Sequence, residues 1–374
     1  MRRSPGRAHE LTPDCAGLSS AKPPCGTEHT ASPKVSSVIT VNPNFNFNYN
    51  STMLSQPLVS IITPSFNQAA FLEQTLLSVL NQDYPNIEYW VIDGGSTDNS
   101  LEIIRKYAPR LTGWVSDKDR GQADGVNKGF AKATGEIIGW LNSDDLYYPG
   151  AVADVVEAFR QYPDASFVFT DVESIDEHGN AFNLMRYGDW KLADLMTFKI
   201  IGQPGVFMRR EVLEQAGYLD LDYNYLLDVH LWLRMAAITE PQYVPGKVWS
   251  AARIHSDAKN IAHAEKFGAE AFRLAKWLGE DQRFYPLSAK IFNQIWAGAH
   301  RLNAFYLVEA GQYKAALRSY AKMLRLSPST SKGTFKRMGY AALGALGAHH
   351  IREMYATRRS KRYQSKQKHE DHNA

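Results

Sequence analysis

Apolar positions along the chain switch between two periods, and the switching predicts an α/β body. LVSIITPS (residues 58 to 65) is a compact β-branched run ending in a turn, and AAFLEQTLLSVLNQ (69 to 82) carries apolar residues at helical spacing. YWVID (89 to 93) predicts a second buried strand. Residues 99 to 107 predict a helix, 112 to 116 a short strand, and GQADGVNKGFAKA (121 to 133) another helix. EIIGWLNSDD (136 to 145) predicts a strand running into two adjacent carboxylates. Strands alternating with helices of this length imply a parallel sheet with right-handed crossovers. Ligands of such sheets sit beyond the carboxyl ends of the strands. TPSFN, DGGSTD and NSDD all fall at those ends.

Beyond Gly150 the pattern changes. AVADVVEAFRQY predicts a helix, SFVFTDV a strand, and MRYGDWKLADLMTF a mixed stretch with aromatics. IGQPGVFMRREVLEQAGYLD predicts a strand followed by a helix, and DYNYLLDVHLWLRMA a helix with Asp228 near its start. After about 262 every pattern is helical. AGQYKAALRSYAKMLRLSP (310 to 328) resembles one helix pair of a tetratricopeptide unit, though stable arrays need about three copies. The organisation predicted is therefore an N-terminal arm (1 to 56), an α/β domain (57 to 262), a helical C-terminal module (263 to 350) and a charged flexible tail (351 to 374). The arm is rich in Ser, Pro, Asn and Thr. It cannot bury enough apolar surface to offset its ordering entropy, and disorder is expected.

Composition narrows the classes. The 44% apolar content is ordinary for a globular protein. Forty-two basic against 39 acidic residues leave +3, which gives no reason to expect nucleic acid. Cys15 and Cys25 both lie in the arm, so packing rather than a disulfide holds the core, and a reducing, cytoplasmic compartment is expected. No secretory signal is read at the start, and no run of about 18 apolar residues predicts a membrane span. The basic cluster RRSKRYQSK has two readings. It attracts anionic lipid at the inner face of the plasma membrane, or it is a solvated tail.

Several residues have the chemistry for a site, and each has a plainer reading beside it. Asp144 and Asp145 repel each other at a strand end. A hard divalent ion, Mg²⁺ or Mn²⁺, would relieve that repulsion and bridge to the phosphates of a donor, whereas an Asx turn capping the next helix needs no ligand. Asp93 ends a strand before two glycines and suits hydrogen bonding to a base or ribose, or else an ordinary strand–turn–helix junction. Asp119, Arg120 and Gly121 precede a helix whose N-terminus attracts phosphate, or form a solvated loop. Asp228 lies among Leu226, Leu227, Trp232 and Leu233. Desolvation there would raise its pKa and make it a base, and a helix cap is the alternative. Arg234 is placed to pair with that carboxylate or a phosphate. His255 is a second candidate metal ligand and Gln203 a candidate acceptor contact. A lone histidine is more often structural.

Taken together these segments resemble the inverting, A-type glycosyltransferases of family 2. The likeness runs from LVSIITPSFNQAAFLEQTLLSVLNQDYPNIEYWVIDGGSTDNS through SDKDRGQADGVNKGFAKATGEIIGWLNSDD to PGVFMRREVLEQAGYLD and LLDVHLWLR, roughly residues 57 to 260. It implies a Rossmann-related mixed sheet flanked by helices. It further implies a nucleotide-sugar donor carrying UDP, GDP or dTDP, a glycan or lipid-linked acceptor, and a place in bacterial surface-polysaccharide assembly. By the same resemblance Pro64, Phe66 and Asp93 hold the nucleoside, Asp145 binds Mn²⁺ or Mg²⁺, and Asp228 is the base; Asn67, Asp119, Gly121 and Asp144 are further candidate nucleotide contacts. The family often has Asp-Asp where this chain has Asp93-Gly94. Its processive members carry Gln-x-x-Arg-Trp and membrane helices, where this chain has LWLRM and none, so transfer of single sugars is expected. A nucleotidyltransferase would normally show a Gly-rich basic loop after the first strand, which TPSFNQ lacks. A catalytically inactive, nucleotide-binding scaffold remains the other class.

Overall fold

The structure is a computed structural model and describes residues 56–255 and 264–348, with Thr357, Ser360 and residues 363–365 of the tail. The expected arm, both cysteines and most of the charged tail lie outside the described residues. Strands β1 (Val59–Ser65), β2 (Ile87–Asp93), β3 (Gly113–Ser116) and β4 (Ile137–Trp140) alternate with helices α1 (Ala69–Leu80), α2 (Ser100–Tyr107) and α3 (Gln122–Phe130). β1 pairs in parallel with β2 and β4, and β2 with β3. The carboxyl ends of β1, β2 and β4 therefore open on one edge, as their motifs require.

Past β4 the sheet becomes mixed. β8 (Val206–Arg209) runs antiparallel to both β4 and β6 (Phe167–Ile175). β9 (Gln242–Arg253) is parallel to β6, and β5 (Leu146–Tyr147) is antiparallel to β9. β7 (Ala181–Met185) pairs with β6 alone, and the order along the sheet is β3-β2-β1-β4-β8-β6-β9-β5. Neither β7 nor β9 is legible from periodicity. In β9 the register moves from Phe169↔Tyr243 to Asp171↔Val248, so three extra residues bulge out. That bulge holds Pro245 and Gly246, the latter at φ 75°, and such residues inside a run read as a turn.

Period-two alternation places neighbouring strand residues on opposite faces. Ile61, Val91, Ile137 and Phe207 pack on one side with α1, α2 and α4 (Ala151–Gln161). Ile62, Ile92, Ile138 and Met208 pack on the other, with α3, α6 (Arg210–Ala216) and α7 (Leu227–Ala236). This second core continues into α8 (Ala264–Glu280) through Phe267, Ala271, Leu274 and Leu278. It also takes Ile295, Ala299 and Leu302 of α10 (Phe292–Glu309), which follows the short α9 (Leu287–Lys290). The boundary expected near residue 262 is thus a change of element type, with no break in packing. Among the described residues, α11 (Tyr313–Leu326) and α12 (Phe335–Ala345) rest on a small cluster of their own against α10.

α10 presses directly on the segment after α5 (Leu192–Met196). A Cβ placed on Gly298 would lie 2.1 Å from the Thr197 carbonyl oxygen, and Arg301 Nη2 donates to the carbonyls of Thr197 and Phe198 at 3.2 and 2.8 Å. Gly298→Ala separates two effects of opposite sign. Helix propensity alone would stabilise by about 1 kcal/mol, whereas overpacking against backbone costs about 1–3 kcal/mol. Chemical denaturation should show a net loss; a gain would refute the close approach.

Candidate active site

The turns after β1 and β2 are locked together by their own side chains. Asn67, at φ 52°, accepts from Thr97 N–H at 2.8 Å, while its own N–H donates to Ser96 Oγ at 2.8 Å. Asparagine tolerates this left-handed conformation better than most residues. Asp93 is fully buried. Its Oδ2 accepts from Gly95 N–H, Ser96 N–H and Ser116 Oγ at 3.1, 3.0 and 2.7 Å, and Oδ1 accepts from Ser96 Oγ at 2.5 Å. Asp93 and Asn67 therefore use their acceptors on the scaffold. Pro64 belongs to buried β1, but Phe66 beside it is 57% exposed at the sheet edge.

Asp119 reaches over the same edge from the loop after β3. Its Oδ1 accepts from Gly121 N–H at 2.9 Å, and Gly121 itself sits at φ 114°, a conformation that favours glycine. A Cβ on Gly94 would stand 2.5 Å from Asp119 Oδ2, and one on Gly125 would stand 3.0 Å from it. The carboxylate fills the space that two absent side chains leave. Gly94, where the resemblance calls for a second aspartate, is thus the residue that admits Asp119. Arg120 turns aside and pairs with Asp124 at 2.8 Å.

The acidic turn after β4 is held from below by α1, where Thr75 Oγ1 lies 2.9 and 2.8 Å from the carbonyl oxygens of Ser143 and Asp145. Asp145 is buried. Burial and the neighbouring charge of Asp144 push its pKa well up, against hydrogen bonds from Arg253 N–H (2.9 Å to Oδ1) and Asn142 Nδ2 (3.3 Å to Oδ2). Asp144 is more open, and its Oδ2 lies 3.1 Å from His255 Nε2 at the end of β9. The imidazole thus meets Asp144 rather than Asp145. Arg253 binds the turn without facing outward: its guanidinium donates to the carbonyls of Asp144, Asp176 and Glu177 and to Gln74 Oε1.

A hydrogen-bond chain leads from this turn to the segment before β8. Asn142 Oδ1 accepts from Gln122 Nε2 of α3 and from Trp140 Nε1, and Asn142 Nδ2 donates to Gln203 Oε1 at 3.0 Å. Gln203, expected to touch acceptor, is buried and donates to the Trp140 carbonyl at 2.5 Å. The adjoining Gly202 N–H donates to Tyr187 Oη at 2.9 Å. The Tyr187 phenol is held above its ordinary pKa chiefly by burial, opposed by the Gly202 bond and reinforced by the charges of Asp171 and Asp228. Hydrogen bonds thus tie the acidic turn to Gln203, and the adjoining Gly202 is bonded to Tyr187, whose phenol feels the charge of Asp228.

Asp228 lies in the first turn of α7. The helix N-terminus favours its charge, yet burial wins: the carboxyl is raised to about 6, despite the Val229 N–H bond at 2.8 Å and with help from the negative charge of Glu270. It is not the cap. Leu226 occupies that position without a side-chain bond. The N–H groups of Asn224, Tyr225 and Leu226 each donate at 2.8 Å to Glu270, a buried residue of α8. Sequence reasoning missed Glu270, because a cap supplied from 44 residues away leaves no local signature. Arg234 is a correction. It donates to the carbonyls of Ala216, Gly217 and Tyr218 at 2.6, 2.8 and 2.7 Å, closing the C-terminus of α6 rather than pairing with Asp228 or phosphate. Its burial explains why its pKa falls to about 10.

Comparison with known proteins agrees with this fold. Residues 60–216 match the sequence profile of the family described as glycosyl transferase family 2. An uncharacterized glycosyltransferase of Mycobacterium tuberculosis is 32% identical over 197 residues, covering 50% of this chain and 72% of that protein. The O-antigen biosynthesis protein RfbC of Myxococcus xanthus is 30% identical over 200 residues, 50% of this chain but only 16% of that protein. The mannosyltransferase PcManGT of Pyrobaculum calidifontis, solved with GDP-Man and Mn²⁺, superposes with a TM-score of 0.54 at 21% identity. That superposition covers 79% of this chain and 88% of that one, and it speaks to the fold alone.

Burial of Asp228 has a stability consequence. Its pKa is raised from 3.8 unfolded to about 6 folded, so the native state binds the proton more tightly. Stability from this group therefore falls as pH rises through about 4 to 6, and the penalty is complete above. Asp228→Asn should raise the unfolding free energy at pH 8 by about 3 kcal/mol and leave it unchanged below pH 4. A loss at pH 8 in denaturant titrations would contradict a desolvated carboxylate.

Proposed function

Because the chain belongs to glycosyltransferase family 2, we propose that it moves a sugar from a nucleotide-diphosphate donor onto an acceptor hydroxyl, with inversion at the anomeric carbon. The reading rests on one observation above all. The acidic turn after β4 is hydrogen-bonded to Gln203, the adjoining Gly202 is bonded to Tyr187, and the Tyr187 phenol feels the charge of half-buried Asp228, while Phe66 and Asp119 follow the ends of β1 and β3. The donor's nucleoside stacks on exposed Phe66 and meets the Asp119 carboxylate. Asp93 and Asn67 shape the turns behind it, and Gly121 lets the Asp119 loop close.

Asp228 supplies the base. It takes the proton from the acceptor hydroxyl while that oxygen attacks the anomeric carbon, and the bond from that carbon to the diphosphate oxygen breaks. Asp228 ends protonated, and the nucleoside diphosphate leaves. A carboxyl raised to about 6 suits the step, since a base works best with a pKa close to the working pH. Glu270 acts through Asp228 by fixing the start of α7.

The acidic turn fits a divalent cation. Two carboxylates, one raised by burial and then by its neighbour's charge, stand with an imidazole 3.1 Å from Asp144. Among the described residues no three metal-type side chains already converge, so donor phosphate oxygens would complete the shell. Asp145 and His255, with Asp144 beside both, would hold Mn²⁺ or Mg²⁺, which would neutralise the departing diphosphate. The name of the Myxococcus relative supports a setting in surface-polysaccharide assembly with a glycan or lipid-linked acceptor.

Purified protein offered a panel of nucleotide sugars with Mn²⁺ should transfer or hydrolyse one of them, with kcat falling below an apparent pKa of about 6. Asp228→Asn should lower kcat about 10²–10⁴-fold and leave nucleotide affinity near that of the parent. Retained turnover would remove Asp228 as base. Asp119→Ala should weaken binding of free nucleoside diphosphate with or without metal, and loss only in metal would assign Asp119 to the cation instead.

A further inference from the structure

Helices α11 and α12 carry a surface that the transfer chemistry does not use. Between residues 310 and 348 the chain has seven basic residues and no acidic one, although its whole net charge is only +3. Lys314, Arg318, Lys322 and Arg325 lie along α11 at intervals of four, four and three, and all are exposed. That spacing puts them on one face. Lys332 and Lys336 stand exposed at the start of α12. Of the seven, Arg337 alone forms an ion pair among the described residues, with Glu309 at 2.7 Å.

Beside this basic stripe α12 turns an apolar one to solvent. Phe335, Leu343 and Leu346 are 63%, 40% and 84% exposed, and Gly339 and Ala342 between them are exposed too. An exposed helix face normally carries charge, and here Phe335, Gly339, Ala342, Leu343 and Leu346 follow helical spacing with none. The two stripes meet where Lys314 and Arg318 line a cavity together with Gly344, Ala345 and Gly347. Cations thus flank the apolar stripe at both of its ends.

We propose that α11 and α12 form a docking surface for an anionic lipid bilayer, with Phe335, Leu343 and Leu346 entering the headgroup boundary and the α11 cations meeting lipid phosphates. A helix with an apolar face bordered by Lys and Arg lies in a membrane interface in this way. Among the described residues no helix is long and apolar enough to cross a membrane, so the contact is peripheral. A second copy of this chain fits less well. The stripe is one helix wide and about 18 Å long, far short of the roughly 800 Å² per partner of a standard interface, and self-pairing would oppose like charges. Nucleic acid would use the cations and leave the apolar stripe in water.

Co-sedimentation of the full chain with vesicles tests this directly. Binding is expected to phosphatidylcholine vesicles containing one-third phosphatidylglycerol, at least tenfold tighter than to phosphatidylcholine alone, and weakened by salt. Phe335→Asp with Leu346→Asp should lower it at least tenfold, and Lys314→Ala with Arg318→Ala about fivefold per cation removed. Both pairs are exposed and lie outside the proposed catalytic machinery, so donor hydrolysis in the absence of lipid should match the parent and certify the fold. Equal binding to both vesicle types, or parental binding by the aspartate pair, overturns the proposal. A dimer in light scattering that the aspartate pair dissolves would make the face an interface between copies. RNA binding lost with the α11 cations but kept by the aspartate pair would assign the basic stripe to nucleic acid.

Discussion

The amide of Asn142 is the constraint from which the rest of the site follows. It uses both lone pairs and both N–H bonds: Gln122 and Trp140 donate to its oxygen, and its nitrogen donates to Asp145 and Gln203. A side-chain amide has no further capacity. One residue therefore joins the N-terminal turn of α3, the end of β4, the acidic turn and the segment leading into β8. Those are the points where the parallel half of the sheet gives way to the antiparallel half. Loss of any partner would strand a polar group in a largely dry environment, which costs about 1–3 kcal/mol each. The network has little room to rearrange.

From that hub the two carboxylate centres acquire different characters. Asp145 is held among donors from the end of β9, in a turn bolted to α1. Asp228 has one short-range donor, and its charge is felt by Tyr187 and Tyr306 and opposed by that of Glu270. The C-terminal helices make the second environment possible. α8 supplies Glu270, α10 supplies Tyr306, and the close approach at Gly298 sets how near they come. These helices complete the site, while α11 and α12, which share little of that core, are free to serve another surface.

Much of this was legible in the amino-acid sequence where the signal is local. The strand and helix periods of residues 58 to 140 put Phe66, Asp93, Asp119 and Asp145 at one sheet edge, and the sheet register puts them there. What escaped depends on distance along the chain. β9 hides behind a Pro-Gly bulge, and Glu270 caps a helix from a different one. Arg234 looks like a catalytic cation because its partners are backbone carbonyls, which carry no letter in a sequence. Asp93 looks like a ligand contact because Gly95 and Ser96, which with Ser116 of β3 saturate it, also compose an ordinary turn. Side-chain type identifies candidates, but the hydrogen bonds already made within the fold decide which remain available.

A crystal structure of the full chain with a nucleoside diphosphate and Mn²⁺ bears most directly on the shared cleft. The base should lie against Phe66 and Asp119, the diphosphate should reach the Asp144–Asp145 turn and His255, and its outer phosphate should face the open side of Asp228. A nucleotide seated away from the ends of β1, β2 and β4, or a diphosphate turned away from Asp228, would contradict a single site in which one carboxylate centre receives the leaving group and the other the acceptor's proton.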